Sequence, residues 1–134
     1  MFAEYTQTQP MTSVIFQVSV GNNSDRVQIE NQGGGAPLLV VTSGGSTQAV
    51  VVNPTTIPIG ERRKVAVTYK QNEFKLFVNG VLAGTDTSGN VPTSLTAAYI
   101  ASEAGTSYAG FKTNQTLYFK TALTEAECIA LTTI

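Results

Sequence analysis

Apolar and polar positions alternate in short runs along most of this chain. Residues 14–20 show it best: Val14, Phe16, Val18 and Val20 share one face, and Ile15, Gln17 and Ser19 the other. That is the two-residue period of a strand with one wet side. Residues 2–6 alternate in the same way and stop at Thr8-Gln9-Pro10. Val27 and Ile29 point one way from a strand over 26–30. Two apolar runs, 38–42 and 47–52, flank Ser43-Gly44-Gly45-Ser46, a hairpin signal. Residues 62–70 place Val65, Val67 and Tyr69 on one face, and 74–78 do so with Phe74, Leu76 and Val78. Asn79-Gly80 predicts a tight hairpin back into 81–85, because both central positions of such a turn need positive φ. Residues 94–101 alternate again, 103–109 read as a loop, and 114–120 as the last strand. The end differs: Thr124 and Glu127 have the spacing of a capping box, with Leu123 and Cys128 placed for a hydrophobic staple. A helix of about two turns closes the chain. Roughly nine to eleven strands at this spacing predict an all-β sandwich or barrel.

The 134 residues make one domain, 1–134. Charged residues are only 13%, half the usual quarter, and polar uncharged residues fill the difference. The absence of His excludes a Ser-His-Asp triad, a Cys-His dyad and a His-ligated zinc. One Cys excludes an internal disulfide. Eight basic residues against nine acidic ones give no basic face, so no nucleic-acid partner is expected. No apolar run approaches a membrane span, and the first residues lack a basic-then-apolar leader.

Val65-Ala66-Val67-Thr68-Tyr69, a polar turn, and then Phe74-Lys75-Leu76-Phe77-Val78-Asn79-Gly80 resemble the "VNG" hairpin of laminin-G-like, concanavalin A-like domains. Leu117-Tyr118-Phe119 and Ala122-Leu123-Thr124-Glu125-Ala126-Glu127 resemble that family's closing strand and helix. The nearest variety is the one at the C-terminal ends of bacteriophage tail fibres and tailspikes. The resemblance implies a two-sheet antiparallel jelly roll with a short C-terminal helix. It further implies a non-enzymatic virion domain, otherwise a secreted one, that binds host-surface carbohydrate and assembles as a homo-oligomer, a trimer. A structural trimerisation or decoration module is the alternative. Members of the family usually begin one strand earlier, so an N-terminal strand is expected to be missing, supplied by a neighbour, or removed from a longer parent.

Glycoside hydrolysis needs two carboxyls across the scissile bond, and no strand carries two of them two residues apart. No catalytic residue is therefore expected. Sugar binding calls for aromatic faces and planar polar groups on a rim. Tyr108 stands outside any periodic run, in the loop that also holds Glu103, and loop aromatics often mean contact. Asn22, Asn23, Asp25 and Arg26 concentrate hydrogen-bonding groups in one turn, where an Asx-type turn is the plain reading. Asp86 opens an oxygen-rich loop that resembles a calcium rim, although calcium wants several carboxylates. Arg62-Arg63-Lys64 reads as a solvated edge, and Cys128 as a buried packing residue.

Overall fold

The computed structural model describes residues 1–103, 106–107 and 110–134. In chain order the elements are β1 (Phe2–Gln7), β2 (Ser13–Ser19), β3 (Arg26–Asn31), β4 (Pro37–Ser43), β5 (Ser46–Val52), β6 (Arg62–Lys70), β7 (Glu73–Val78), β8 (Val81–Asp86), β9 (Ala97–Ile100), β10 (Ser102–Glu103), β11 (Thr106–Ser107), β12 (Phe111–Leu117) and α1 (Glu125–Thr132). Two five-stranded sheets form, in the orders β12-β1-β6-β7-β8 and β5-β4-β3-β2-β9. The strand neighbours within them pair antiparallel. The molecule is thus the two-sheet antiparallel sandwich, closed by one helix, that the alternation and the resemblance implied.

Alternation decides the layers. Val65, Val67, Phe74 and Leu76 of the first sheet meet Phe16, Val27, Ile29 and Leu39 of the second in one core. Each such side chain, fully withdrawn from water, contributes about 2 kcal/mol before entropy is counted. The opposite face of the first sheet is apolar too: Phe2, Ala66 and Phe77 stand in one cross-strand row. They are covered by Cys128, Ile129 and Leu131 of α1. That helix starts as the spacing predicted, with Thr124 as N-cap and both capping-box bonds to Glu127 made. These bonds from Thr124 hold the Glu127 carboxyl below its ordinary range. Burial pushes the Cys128 thiol up, which keeps it an inert packing group.

Asn79 and Gly80 both have positive φ, 48° and 83°, as the tight hairpin requires. Other expectations need correction. β2 has no wet side: all seven of its residues are buried. A bulge between Val14 and Phe16 sends Ile15 into the core beside Phe16 and Val18. Alternation from Val14 onward therefore assigned Val14 and Ile15 to the wrong faces. Residues 103–109 are not wholly loop, because Ser102–Glu103 pairs with Thr106–Ser107. β9 is shorter than 94–101, with Leu95 packed against the core ahead of it.

Arg63 does not lie on a solvated edge. β6 is an inner strand, and the Arg63 side chain is fully buried. It donates to Gln7 Oε1 at 3.0 Å, Glu61 O at 3.0 Å and Ile57 O, and sits 5.9 Å from the Tyr5 ring centre. Burial lowers the Arg63 pKa. Main-chain carbonyls and one amide stand in for a carboxylate partner, so this cation pins the 57–61 connection to β1. Its neighbour Arg62 pairs outward with Glu4 at 3.3 Å.

Candidate functional site

The helix covers the outer face of the first sheet. The corresponding face of the second sheet has a different chemistry. With Val27 and Ile29 facing the core, β3 presents Arg26, Gln28 and Glu30 outward, at steps of about 7 Å. Register extends each position across the sheet. Ser19, Arg26 and Thr42 form one row. Tyr99, Gln17, Gln28, Val40 and Val50 form the next. Glu30, Leu38 and Val52 form a third. The face therefore runs from an aromatic edge, over a stripe of cation, amide and anion, to an aliphatic edge. Val50 is half exposed on that aliphatic side.

At its centre Gln28 Nε2 donates to Gln17 Oε1 at 2.9 Å. Both residues are fully buried, while Arg26, Glu30, Val40 and Tyr99 around them are half-buried. Among the described residues, the remaining ends of this amide pair, Gln17 Nε2 and Gln28 Oε1, have no hydrogen-bond partner, and neither does Thr42 Oγ1 in the adjoining row. Native folds rarely leave buried polar groups unmet, since each costs about 1–3 kcal/mol. Here three sit together on one sheet face, two donors and an acceptor beneath a ring of planar and charged side chains. The outward positions of β2, β3, β4, β5 and β9 carry a single carboxylate, Glu30. The pair of carboxyls that glycoside hydrolysis uses is not assembled by these five strands.

The rim residues do something else. Asn22 Oδ1 accepts from the Ser24 amide at 2.9 Å and its hydroxyl at 2.7 Å, the Asx-type turn. Asp25 Oδ1 accepts from Ser43 Oγ at 3.3 Å and the Gly44 amide at 3.1 Å, tying the β2–β3 turn to the β4–β5 turn. Asn23 gives its main-chain oxygen to Arg26 Nη1 at 3.1 Å. These rim groups are satisfied by one another, and only Arg26 also belongs to the outer face of the second sheet. Asp86 Oδ1 likewise accepts from the Ser88 amide and hydroxyl. Among the described residues no three acidic, Cys or His side chains gather as a metal would require. The Glu103 side chain and Tyr108 lie outside the described residues. The sequence reading named Arg26 and passed over Gln17, Gln28, Glu30 and Tyr99. A signal existed in Arg26-Val27-Gln28-Ile29-Glu30, whose polar positions alternate with two core residues. Only register shows that Gln17 stands opposite Gln28.

A family model described as the concanavalin A-like lectin/glucanases superfamily matches residues 2–128. The chain belongs to that superfamily. A search of curated protein sequences gave no match. Among solved structures, this lectin-like domain is similar to the CBM40 module of Ruminococcus gnavus IT-sialidase bound to α2,3-sialyllactose. The TM-score is 0.74 at 18% identity, covering 99% of this chain and 80% of that one. It also resembles part of the leech intramolecular trans-sialidase complexed with 2,7-anhydro-Neu5Ac. There the TM-score is 0.67 at 17% identity, covering 98% of this chain and 22% of that one. At these identities the likeness shows the shared fold.

Proposed function

We propose that this domain is a non-catalytic carbohydrate-binding module and that its glycan sits on the outer face of the second sheet. One observation carries the reading: among the described residues the buried Gln17–Gln28 pair keeps an amide donor and a carbonyl acceptor unpaired, ringed by Arg26, Glu30 and Tyr99. A sugar offers matched hydroxyls for planar amides and charges, and an apolar ring face for Tyr99. Arg26 and Tyr99 make the first contact and swing aside to admit hydroxyls to the amides. The single outward carboxylate favours binding over hydrolysis. The Ruminococcus module was captured with sialyllactose, which makes α2,3-sialyllactose the first probe.

The experiment is a glycan array, followed by calorimetry of the hits, on the native chain and on a Gln17→Met/Gln28→Met double variant. Binding by the native chain and loss in the folded variant support the reading. Binding that survives the double replacement, or none to any glycan, overturns it. The resemblance to tail-fibre ends adds a setting, a virion spike in which three copies multiply weak contacts. Sedimentation at three times the chain mass, and labelling of phage particles by antibody to the domain, test that part.

A further inference from the structure

The strands at the aliphatic edge of the second sheet carry more hydrocarbon than folding uses. A strand with a core on one side needs apolar residues only at alternate positions. β3 obeys this, with Val27 and Ile29 in the core and Arg26, Gln28 and Glu30 outward. β4 and β5 do not. Leu39, Val41, Ala49 and Val51 fill their inward positions and lie in the main core. Leu38, Val40, Val50 and Val52 fill the outward ones, and among the described residues none of these four packs into either apolar cluster. Register sets them in a rectangle, Leu38 beside Val52 and Val40 beside Val50. Its sides are one strand spacing, about 4.8 Å, and one outward step, about 7 Å. Val50 is 50% exposed and Val52 38%.

This rectangle adjoins the glutamine ends that have no partner among the described residues. Gln28, Val40 and Val50 follow one another in a single row. Hydrocarbon therefore begins about 4.8 Å from Gln28 and extends to about 9.6 Å from it. A hexose that bonds the glutamines along one edge lays its opposite edge over Val40 and Val50. A hydroxyl placed there gives up water and gains no partner, because all four residues are hydrocarbon. An acetamido group brings an N–H and a carbonyl with the same penalty. A methyl group on the ring carbon brings neither, and its burial against valine is favourable.

We propose, on the footing that a glycan sits on this face, that the unit over β4 and β5 is a 6-deoxyhexose. Its methyl rests between Val40 and Val50 while its hydroxyls bond Gln17 Nε2 and Gln28 Oε1. The amides supply the polar anchor, and the two valines set the choice between this sugar and the same sugar with a 6-hydroxyl. One methyl contact exchanged for an unpaired hydroxyl lowers affinity about tenfold.

The probes are L-fucose and L-rhamnose, each against its 6-hydroxy counterpart, L-galactose and L-mannose, titrated into the intact ¹⁵N-labelled chain. The variants are Val40→Thr/Val50→Thr and Gln17→Met/Gln28→Met. Threonine keeps the shape of valine and exchanges a methyl for a hydroxyl; Val50→Thr alone, at a half-exposed position, serves if the double change impairs folding. The expected result is that at least one 6-deoxy sugar binds about tenfold more tightly than its counterpart and shifts the Val40 and Val50 amides. The threonine variants should erase that preference, and the methionine variant should lose all four sugars. Equal affinities within both pairs, a preference that survives threonine, or binding only of sugars without the methyl overturns this inference alone when the methionine variant still abolishes binding. Binding untouched by the methionine change overturns the glycan reading on which it rests, and no sugar bound at all overturns both. Sedimentation at twice the chain mass that Val50→Thr abolishes would assign the rectangle to a second copy paired along the edge strand β5, and would overturn the inference as well.

Discussion

Replacing Gln17 and Gln28 together by Met separates a binding surface from a structural network. Both side chains are fully buried and share one hydrogen bond of 2.9 Å, worth about 1 kcal/mol net. Against it stand two buried polar ends with no partner among the described residues, each costing about 1–3 kcal/mol. Met matches the length and width of Gln, so the double variant loses the first quantity and recovers the second. The expected outcome is a gain of about 1–5 kcal/mol, or about 4 °C in melting temperature per kcal/mol at this size. The single Gln28→Met variant should go the other way, by about 1–2 kcal/mol, because it strips the Gln17 carbonyl of its donor. Urea denaturation of the native chain, both singles and the double gives the coupling energy. A double variant less stable than native by more than about 1 kcal/mol would mean that the amides hold the fold, and the reasoning fails.

Much of the frame was legible in the chain itself. Asn79-Gly80 and the Thr124–Glu127 box act within a few residues, so their geometry follows from local chemistry, and both formed. The misreadings involve contacts distant in sequence. Arg63 reads as a surface charge until Gln7, 56 positions away, is found accepting from it. The bulge at Ile15 leaves no mark in a run of apolar residues. The outer face of the second sheet depends on the register of five strands, and a one-residue slip would turn Gln28 into the core. Nothing local to Gln17 or Gln28 announces that pairing.

Other outcomes follow from the same geometry. Arg63→Met should destabilise the domain by about 3 kcal/mol, since it orphans the Gln7 carbonyl and unpins the 57–61 connection; a loss below about 1 kcal/mol in urea unfolding would contradict the pinning role. Thr124→Ala removes the N-cap of α1 and should cost about 1 kcal/mol, read by the same assay. The Met1 ammonium is pushed down to about 6 by burial. The unfolded chain then binds more protons between about pH 6 and 8, so stability should rise with pH across that window, by about 2–3 kcal/mol. An N-acetylated chain should lack the rise, and an unchanged slope on acetylation would refute the assignment. Calcium or a chelator should leave the melting temperature unmoved, because Asp86 is held by Ser88; a calcium-dependent rise would place a site on that loop.

The most direct measurement is a backbone NMR titration of the native domain with the first glycan found on the array. Shifts centred on Gln17, Gln28, Arg26, Glu30 and Tyr99 are the expected result. Shifts centred instead on the Asn22, Asn23 and Asp25 turn, with the sheet face unmoved, would contradict the account.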